Sequence, residues 1–253
     1  INMINLDNKK VLVTGSSQGL GSKIVKMFLA NNSLGFGFDL QKSSEDIEGW
    51  EFLQVDVSNE LEIIKGFEKI KEKIGELDVV VANAGIVPPW KRINDIDNNE
   101  WEKVFNINVK GVALTIKHSV ELMKSSGGSI IVMGSINSLL GHSGQSLYTA
   151  TKHALLGIVK CAAIDLGKYN IRVNAIGPGP VATDALLGRL KSREANGGTS
   201  VSSALDEFAN NTALGKMATE DDIANTALYL SSNLSSSITG QIIPVCSGLI
   251  RLE

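Results

Sequence analysis

Short apolar runs recur along this sequence, and most are followed by a longer segment with apolar residues at helical spacing. The runs lie at residues 10–14, 34–38, 52–55, 78–82, 129–133, 171–176 and 241–245, and the helical segments at 20–30, 60–74, 101–123, 148–166 and 221–230. Runs of four to six residues suit buried strands, whereas the longer periodic segments suit amphipathic helices. A helix between consecutive strands acts as a crossover, so the strands run parallel, and a parallel sheet is covered on both faces. The expectation is an α/β, doubly wound, seven-stranded parallel sheet with helices on both faces.

At 253 residues the chain fits around one such sheet. No Pro- or Ser-rich linker, repeat or shift of composition divides it, so residues 1–253 are read as a single domain. One irregular insertion, 183–213, contains Gly197-Gly198-Thr199-Ser200-Val201-Ser202-Ser203, a poor helix and a poor strand. A loop of that length in a compact domain points to a substrate lid, with a plain solvent-exposed loop as the competing reading. Lys and Arg number 24 against 27 Asp and Glu, for a formal net charge of -3. That balance gives no electrostatic footprint for nucleic acid or an anionic membrane. Cys161 and Cys246 lack the spacing of a zinc or redox site and read as small buried side chains. No targeting segment or bilayer-spanning run is recognised, Met3 reads as a natural start, and a soluble cytoplasmic protein is expected.

The first run, Lys10-Val11-Leu12-Val13-Thr14, passes directly into Gly15-Ser16-Ser17-Gln18-Gly19-Leu20-Gly21 and then into a helix. A glycine-rich turn between a first strand and a first helix lets a pyrophosphate approach the backbone, where the helix N-terminus offers unpaired N–H groups. The spacing departs from the usual dinucleotide fingerprint, so a purely structural turn is the competing reading. Asp39 closes the second run, where a carboxylate can accept from an adenosine ribose and would repel a 2'-phosphate. The turn itself holds no Arg or Lys. NAD is therefore favoured over NADP, although Lys42 lies three residues beyond Asp39, and Asp39 has the competing role of a loop cap.

The fifth run ends at Gly134-Ser135, and a polar loop leads to Tyr148-Thr149-Ala150-Thr151-Lys152. Four residues apart on a helix, Tyr148 and Lys152 share a face. A phenol titrates near 10, too high for a base at neutral pH, and a nearby ammonium lowers such a value by roughly 1–3 units.

Together these segments closely resemble the short-chain dehydrogenase/reductase family over nearly the whole chain. The resemblance rests on Thr14-Gly15-Ser16-Ser17-Gln18-Gly19-Leu20-Gly21, Asp56-Val57, Asn83-Ala84-Gly85 and Asn108-Val109-Lys110-Gly111. It continues with Ser135 thirteen residues before Tyr148, the Tyr148-x-x-x-Lys152 pair, and Pro178-Gly179 followed by Thr183. It implies a Rossmann-type sheet and a catalytic set of Asn108, Ser135, Tyr148 and Lys152. Tyr148 would exchange a proton with the substrate oxygen and Ser135 would hydrogen-bond that oxygen. Lys152 would lower the Tyr148 pKa and hold the nicotinamide ribose, and Asn108 would help hold a water for proton relay. Asn108 lies mid-helix between Asn106 and Gly111, poor helix formers that lead us to expect a local distortion.

For the cofactor, the resemblance implies that Gly15, Ser17, Gln18, Gly19 and Leu20 hold the pyrophosphate, Asp39 the adenosine ribose, and Asp56 and Val57 the adenine. Asn83 and Gly85 would line the centre of the site, with Pro178, Val181 and Thr183 at the carboxamide. Cys246-Ser247-Gly248 departs from the more usual Asp-Gly-Gly, which bears on the packing of the C-terminal tail.

Substrate contacts are expected from Trp90, Asn137, His142 and Gln145, whose polar character suits a small hydroxylated or cyclic molecule. Ordinary loop polarity is the alternative for each, and no metal site is expected because His142 has no second ligand at suitable spacing. The resemblance also implies a homo-oligomer, a tetramer favoured over a dimer, through the helices at 101–123 and 148–166. The second of these carries Leu155, Leu156, Ile158, Val159, Ala162, Ala163 and Ile164, a pattern expected to be buried on both sides. Three activities compete. The first is NAD-dependent oxidoreduction of a sugar, polyol or cyclic alcohol; the second is reduction of a 3-oxoacyl thioester, which in this family normally uses NADPH. The third is non-catalytic NAD binding, against which stands the presence of all four catalytic residues.

Overall fold

A computed structural model describes residue 4, residues 6–42 and residues 47–249 of the chain. The expected start at Met3 lies outside the described residues. Seven strands form one parallel sheet: β1 (Lys10–Thr14), β2 (Leu34–Asp39), β3 (Trp50–Gln54), β4 (Val79–Ala82), β5 (Gly128–Met133), β6 (Ile171–Pro178) and β7 (Ile242–Val245). Their order across the sheet is β3-β2-β1-β4-β5-β6-β7, with every neighbouring pair parallel. The chain winds outward from β1 to β3 and then returns to β4 on the other side of β1. A crevice opens outside the carboxyl ends of β1 and β4, where such a reversal leaves room for a ligand.

The central strands are buried throughout because both faces are covered. On one face lie α2 (Glu60–Ile74), α4 (Gly111–Met123) and α5 (Ser146–Leu166), which join Phe38, Val80, Ile130 and Val132 in one core. On the other lie α1 (Gly19–Leu29) and α8 (Glu220–Ser231), packed on Val11, Val13, Val79 and Ile131. Pro244 is accommodated because β7 is an edge strand, where an absent N–H leaves no partner unmet.

The predicted helix at 101–123 begins earlier and is interrupted. It consists of α3 (Asn98–Phe105), a widened π-helical turn over Asn106–Lys110, and α4. The expected distortion therefore falls on Asn108. Such a turn inserts an extra residue and breaks the regular i to i+4 ladder.

Residues 183–213 differ from the irregular insertion expected. They form two helices, α6 (Asp184–Ala195) and α7 (Val201–Asn210). The Thr183 hydroxyl accepts from the Leu186 N–H and the Ser200 hydroxyl from the Ser203 N–H, so each helix starts on a side-chain cap. The Gly197-Gly198 pair serves only the connection, with Gly197 at φ +82°. Leu186, Leu190 and Ala204 make a small core separate from both faces of the sheet.

Two further expectations change. Cys161 is exposed on α5, whereas Cys246 is buried as expected. Within this chain α5 is buried on one face only, through Leu155, Val159 and Ala163, while Ile164 is 81% exposed. At the tail, the Ser247 and Gly248 carbonyls accept from the Leu214 and Ala213 N–H groups, so the unusual Cys246-Ser247-Gly248 turn ties down the segment that follows α7. Among the described residues, no helix is long and apolar enough to cross a membrane and no cluster of metal-ligating side chains occurs.

Candidate active site

The glycine turn is fixed from both sides of the crevice. Thr14 Oγ1 accepts from the Asn83 and Ala84 N–H groups at 3.0 Å, and Asn83 Nδ2 donates to the Thr14 and Gly15 carbonyls, also at 3.0 Å. Asn83 therefore spends its amide holding the turn against the end of β4. Gly15 adopts φ +65°, and a Cβ on Gly21 would collide with the Gly15 carbonyl oxygen, so α1 can approach only with glycine there. The result is a helix start with no side-chain cap and no acidic residue in its first turn. Its first N–H groups have no intrahelical acceptor, and nothing lies within 4 Å of a Cβ built on Gly19. This open, donor-lined cradle fits a pyrophosphate.

Asp39 stands at the end of β2 beside the turn. One carboxylate oxygen accepts from the Ser17 N–H at 3.0 Å and the other from the Gln41 N–H at 3.3 Å, while the Ser17 hydroxyl donates to the Gln41 carbonyl. Asp39 thus fulfils the loop-capping role while its carboxylate remains only partly buried. Ser17 is committed to this link, which leaves Gln18, Gly19 and Leu20 as the more open part of the turn. Asp56 accepts from the Ser58 N–H and hydroxyl at 2.8 and 2.7 Å. Buried Val57 packs on Gly111, where a Cβ would crowd it at 2.9 Å.

Beyond β4, the π-helical turn places Asn108 against the chain leaving Gly85. Its Oδ1 accepts from the Ile86 N–H and its Nδ2 donates to the Ile86 carbonyl, both at 2.8 Å. A longer bond of 3.4 Å reaches Thr151 on α5. Asn108 thereby couples the β4 exit to the helix carrying Tyr148 and Lys152.

Ser135 leaves β5 in an extended conformation and caps a short 3-10 turn, its hydroxyl oxygen accepting from the Asn137 N–H at 3.1 Å. Asn137 is 5% exposed and donates to Gln145 Oε1 and Thr149 Oγ1 at 3.0 Å. Asn137 accordingly braces the Ser135 loop against α5 instead of offering its amide to the crevice. The Ser135 hydroxyl also interacts with the Tyr148 phenol and favours its anionic form.

The electrostatics differ from the expectation. Burial pushes the Tyr148 phenol above its ordinary value, and the opposing influences are Ser135 and the Arg189 guanidinium. Lys152 is not among them. Its Nζ donates to the Met133 carbonyl at 2.7 Å and lies 5.6 Å from the Tyr148 ring centroid. Lys152 is 6% exposed, and burial pulls its own pKa down to about 8. The ammonium is directed at a backbone oxygen and carries a desolvation cost of its own.

A cavity beside Tyr148 is lined by Pro88, Trp90, Gln145 and Leu147 among others. Lys91 N–H donates to the Gly144 carbonyl at 2.9 Å, joining the loop after β4 to the loop before α5 and setting Trp90 near Gln145. His142 is exposed and does not line this cavity. Pro178 ends β6, Val181 is buried against Ala218, and Thr183 caps α6, so these three lie on the connection from the sheet into α6.

Sequence reasoning missed Arg189 and Arg193 of α6. The Arg193 guanidinium stacks over the Trp90 ring, 5.4 Å from its centroid. The signal was available in Thr183-Asp184 as a helix start, with apolar Leu186 and Leu190 beside arginines one turn apart.

Residues 17–250 match the family described as enoyl-(acyl carrier protein) reductase. Short-chain dehydrogenase reductase 5 of Arabidopsis thaliana is 34% identical over 254 residues, covering 96% of this chain and 95% of that protein. (+)-Borneol dehydrogenase 2 of Salvia officinalis is also 34% identical, over 97% of this chain and 90% of its own length. Among solved structures, the aldohexose dehydrogenase of Thermoplasma acidophilum superposes with a TM-score of 0.89 at 25% identity, covering 96% of this chain and 94% of that one.

Proposed function

Since this chain belongs to the short-chain dehydrogenase/reductase family and is thus an oxidoreductase of alcohols and ketones, we propose that it uses NAD and acts on a sugar, polyol or cyclic secondary alcohol. The observation that carries the reading is that Tyr148 lines the cavity between the loops after β4 and before α5, with the buried Lys152 ammonium 5.6 Å from its ring centroid and the Ser135 hydroxyl favouring its anionic form. Bound NAD supplies the two-electron acceptor.

As its phenolate Tyr148 takes the proton of the substrate hydroxyl in oxidation, and as its phenol it returns that proton in reduction; Ser135 and Arg189 favour the ionisation that burial opposes. Ser135 donates to the same oxygen and steadies the charge that develops there, its own position fixed by the Asn137 N–H. Lys152 is held one turn from the phenol with a proton it releases readily, since its pKa is about 8. Asn108 positions α5 through Thr151 and the β4 exit through Ile86. Gly19, Leu20 and the uncapped α1 N-terminus hold the pyrophosphate, and Thr183 and Val181 meet the carboxamide.

The case for NAD rests on Asp39, whose partly exposed carboxylate would repel a 2'-phosphate. An aldohexose dehydrogenase and a borneol dehydrogenase among the similar proteins support a polyol or cyclic substrate. The chain works as one domain with α6 and α7 as the substrate lid, and assembles into a homotetramer partly through the α5 face that exposes Ile164 and Cys161. A panel of sugars, polyols, cyclic alcohols and acyl thioesters, assayed with NAD and NADP in both directions, tests this reading. NAD-linked turnover of a polyol or cyclic alcohol supports it; activity confined to NADPH and an acyl thioester overturns it.

A further inference from the structure

The lid carries a cation that the fold does not answer. Arg189 and Arg193 lie one turn apart on α6, along the edge of the stripe that Leu186 and Leu190 bury. Arg193 rests on Trp90, which lines the cavity shared by Tyr148, so this edge of the helix faces the cleft. Arg189 stands one turn closer to Thr183 and the expected nicotinamide position. Its Nε is sealed from solvent and meets no hydrogen-bond partner among the described residues. The acids nearby are already engaged: Glu100, which lines the cavity, pairs with Lys91 at 2.9 Å, and Glu194 accepts from the Val201 N–H at 3.3 Å. Burial weakens the hold of Arg189 on its proton, and the Tyr148 phenol is the group that opposes this.

A guanidinium nitrogen buried without an acceptor is costly, and proteins retain one where a ligand supplies the missing partner. We infer that Arg189 receives a carboxylate carried by the substrate, so that the alcohol oxidised at Tyr148 belongs to a hydroxy acid, either a sugar acid or a carboxylated cyclic alcohol. This rests on the dehydrogenase reading and narrows its substrate class. A planar carboxylate matches the fork of one guanidinium, whereas a phosphate dianion usually gathers several cations, and Arg193 is occupied with Trp90. The carboxylate is unchanged in the reaction: two electrons and one proton leave the carbinol carbon for NAD, and the hydroxyl proton goes to the phenolate oxygen of Tyr148, which becomes a phenol.

The test uses the whole chain with NAD and matched substrates: gluconate, sorbitol and sorbitol 6-phosphate, and 4-hydroxycyclohexanecarboxylate against 4-methylcyclohexanol. The acid of at least one pair is expected to exceed its neutral partner in kcat/KM by at least about 10-fold, and Arg189→Gln to cut that ratio by about 10- to 100-fold. Arg189→Lys, which keeps the charge, retains part of it. Independently of turnover, malonate titrated into the NADH-loaded enzyme is expected to bind the wild type and not Arg189→Gln, with thermal melting showing that the variant is folded. An acid preference that survives Arg189→Gln, a preference for the phosphate, or malonate binding that is absent or indifferent to Arg189 overturns the assignment. Turnover of the neutral alcohols alone also overturns it while sparing the dehydrogenase reading. If no alcohol turns over, the dehydrogenase reading fails and the malonate titration decides the anion site.

Discussion

Replacing Lys152 by methionine removes a charge that this fold holds at a cost. The amine is 6% exposed, has a carbonyl instead of a carboxylate as its partner, and titrates at about 8 against an ordinary 10.5. At about 1.36 kcal/mol per unit, the charged form is penalised by roughly 3 kcal/mol relative to the unfolded chain. Methionine of similar length recovers this but leaves the Met133 carbonyl without its donor, at a cost of about 1–3 kcal/mol. The net expectation for the ligand-free protein near pH 6–7 is a gain of about 1–2 kcal/mol, or several degrees in Tm for a chain of this size. The pH dependence distinguishes this from simple repacking. Below about pH 8 the lysine is charged in both states and the full penalty applies. Between about 8 and 10.5 the folded protein has released a proton that the unfolded chain still binds, so wild-type stability rises with pH. Melting curves from pH 6 to 10 should therefore show a Lys152→Met advantage that is flat up to about pH 8 and shrinks above it. A variant less stable than wild type at pH 6–7, or a difference that ignores pH, would refute the desolvation account.

Tyr148→Phe should retain dinucleotide binding, measured by fluorescence titration, while turnover falls about 10²- to 10⁴-fold; unchanged turnover removes Tyr148 from the mechanism. Asp39→Ser should shift the ratio of kcat/KM for NADP over NAD upward by at least about 10-fold, because the carboxylate of Asp39 no longer opposes a 2'-phosphate; an unmoved ratio in steady-state kinetics would place cofactor choice elsewhere. Gly66→Ala should destabilise the fold by about 1–3 kcal/mol in urea melts, since the new Cβ would lie 2.6 Å from the Phe38 ring at the contact of α2 with β2. A loss under about 0.5 kcal/mol would mean that the ring can move aside.

The strands were legible because apolar runs such as Ile130-Ile131-Val132-Met133 have few other fates in a chain of this composition. The distortion at Asn108 was legible for a similar reason, its neighbours being poor helix formers. What stayed hidden depended on contacts distant in sequence. Ser17 and Asp39 are 22 residues apart and meet only after β1 and β2 pair. Lys152 is one turn from Tyr148, yet its ammonium is drawn to a carbonyl on β5, which no local spacing encodes. The lid was read as irregular because two glycines outweighed a Thr cap and a Ser cap on either side of them. Arg189 had no visible role until its Nε was seen to be buried without a hydrogen-bond partner among the described residues.

The small core under the lid sets an energy scale of its own. Leu186, Leu190 and Ala204 make a far smaller cluster than either sheet face, with Val201, Leu205, Phe208 and Met217 packed around them among the described residues. A hairpin held by so few side chains can detach at a fraction of the free energy needed to unfold the sheet, so its amides should exchange with solvent long before those of β4 and β5. With α6 and α7 acting as the proposed lid, substitutions at its apolar positions would alter how often the crevice admits a molecule while the scaffold beneath keeps its melting temperature.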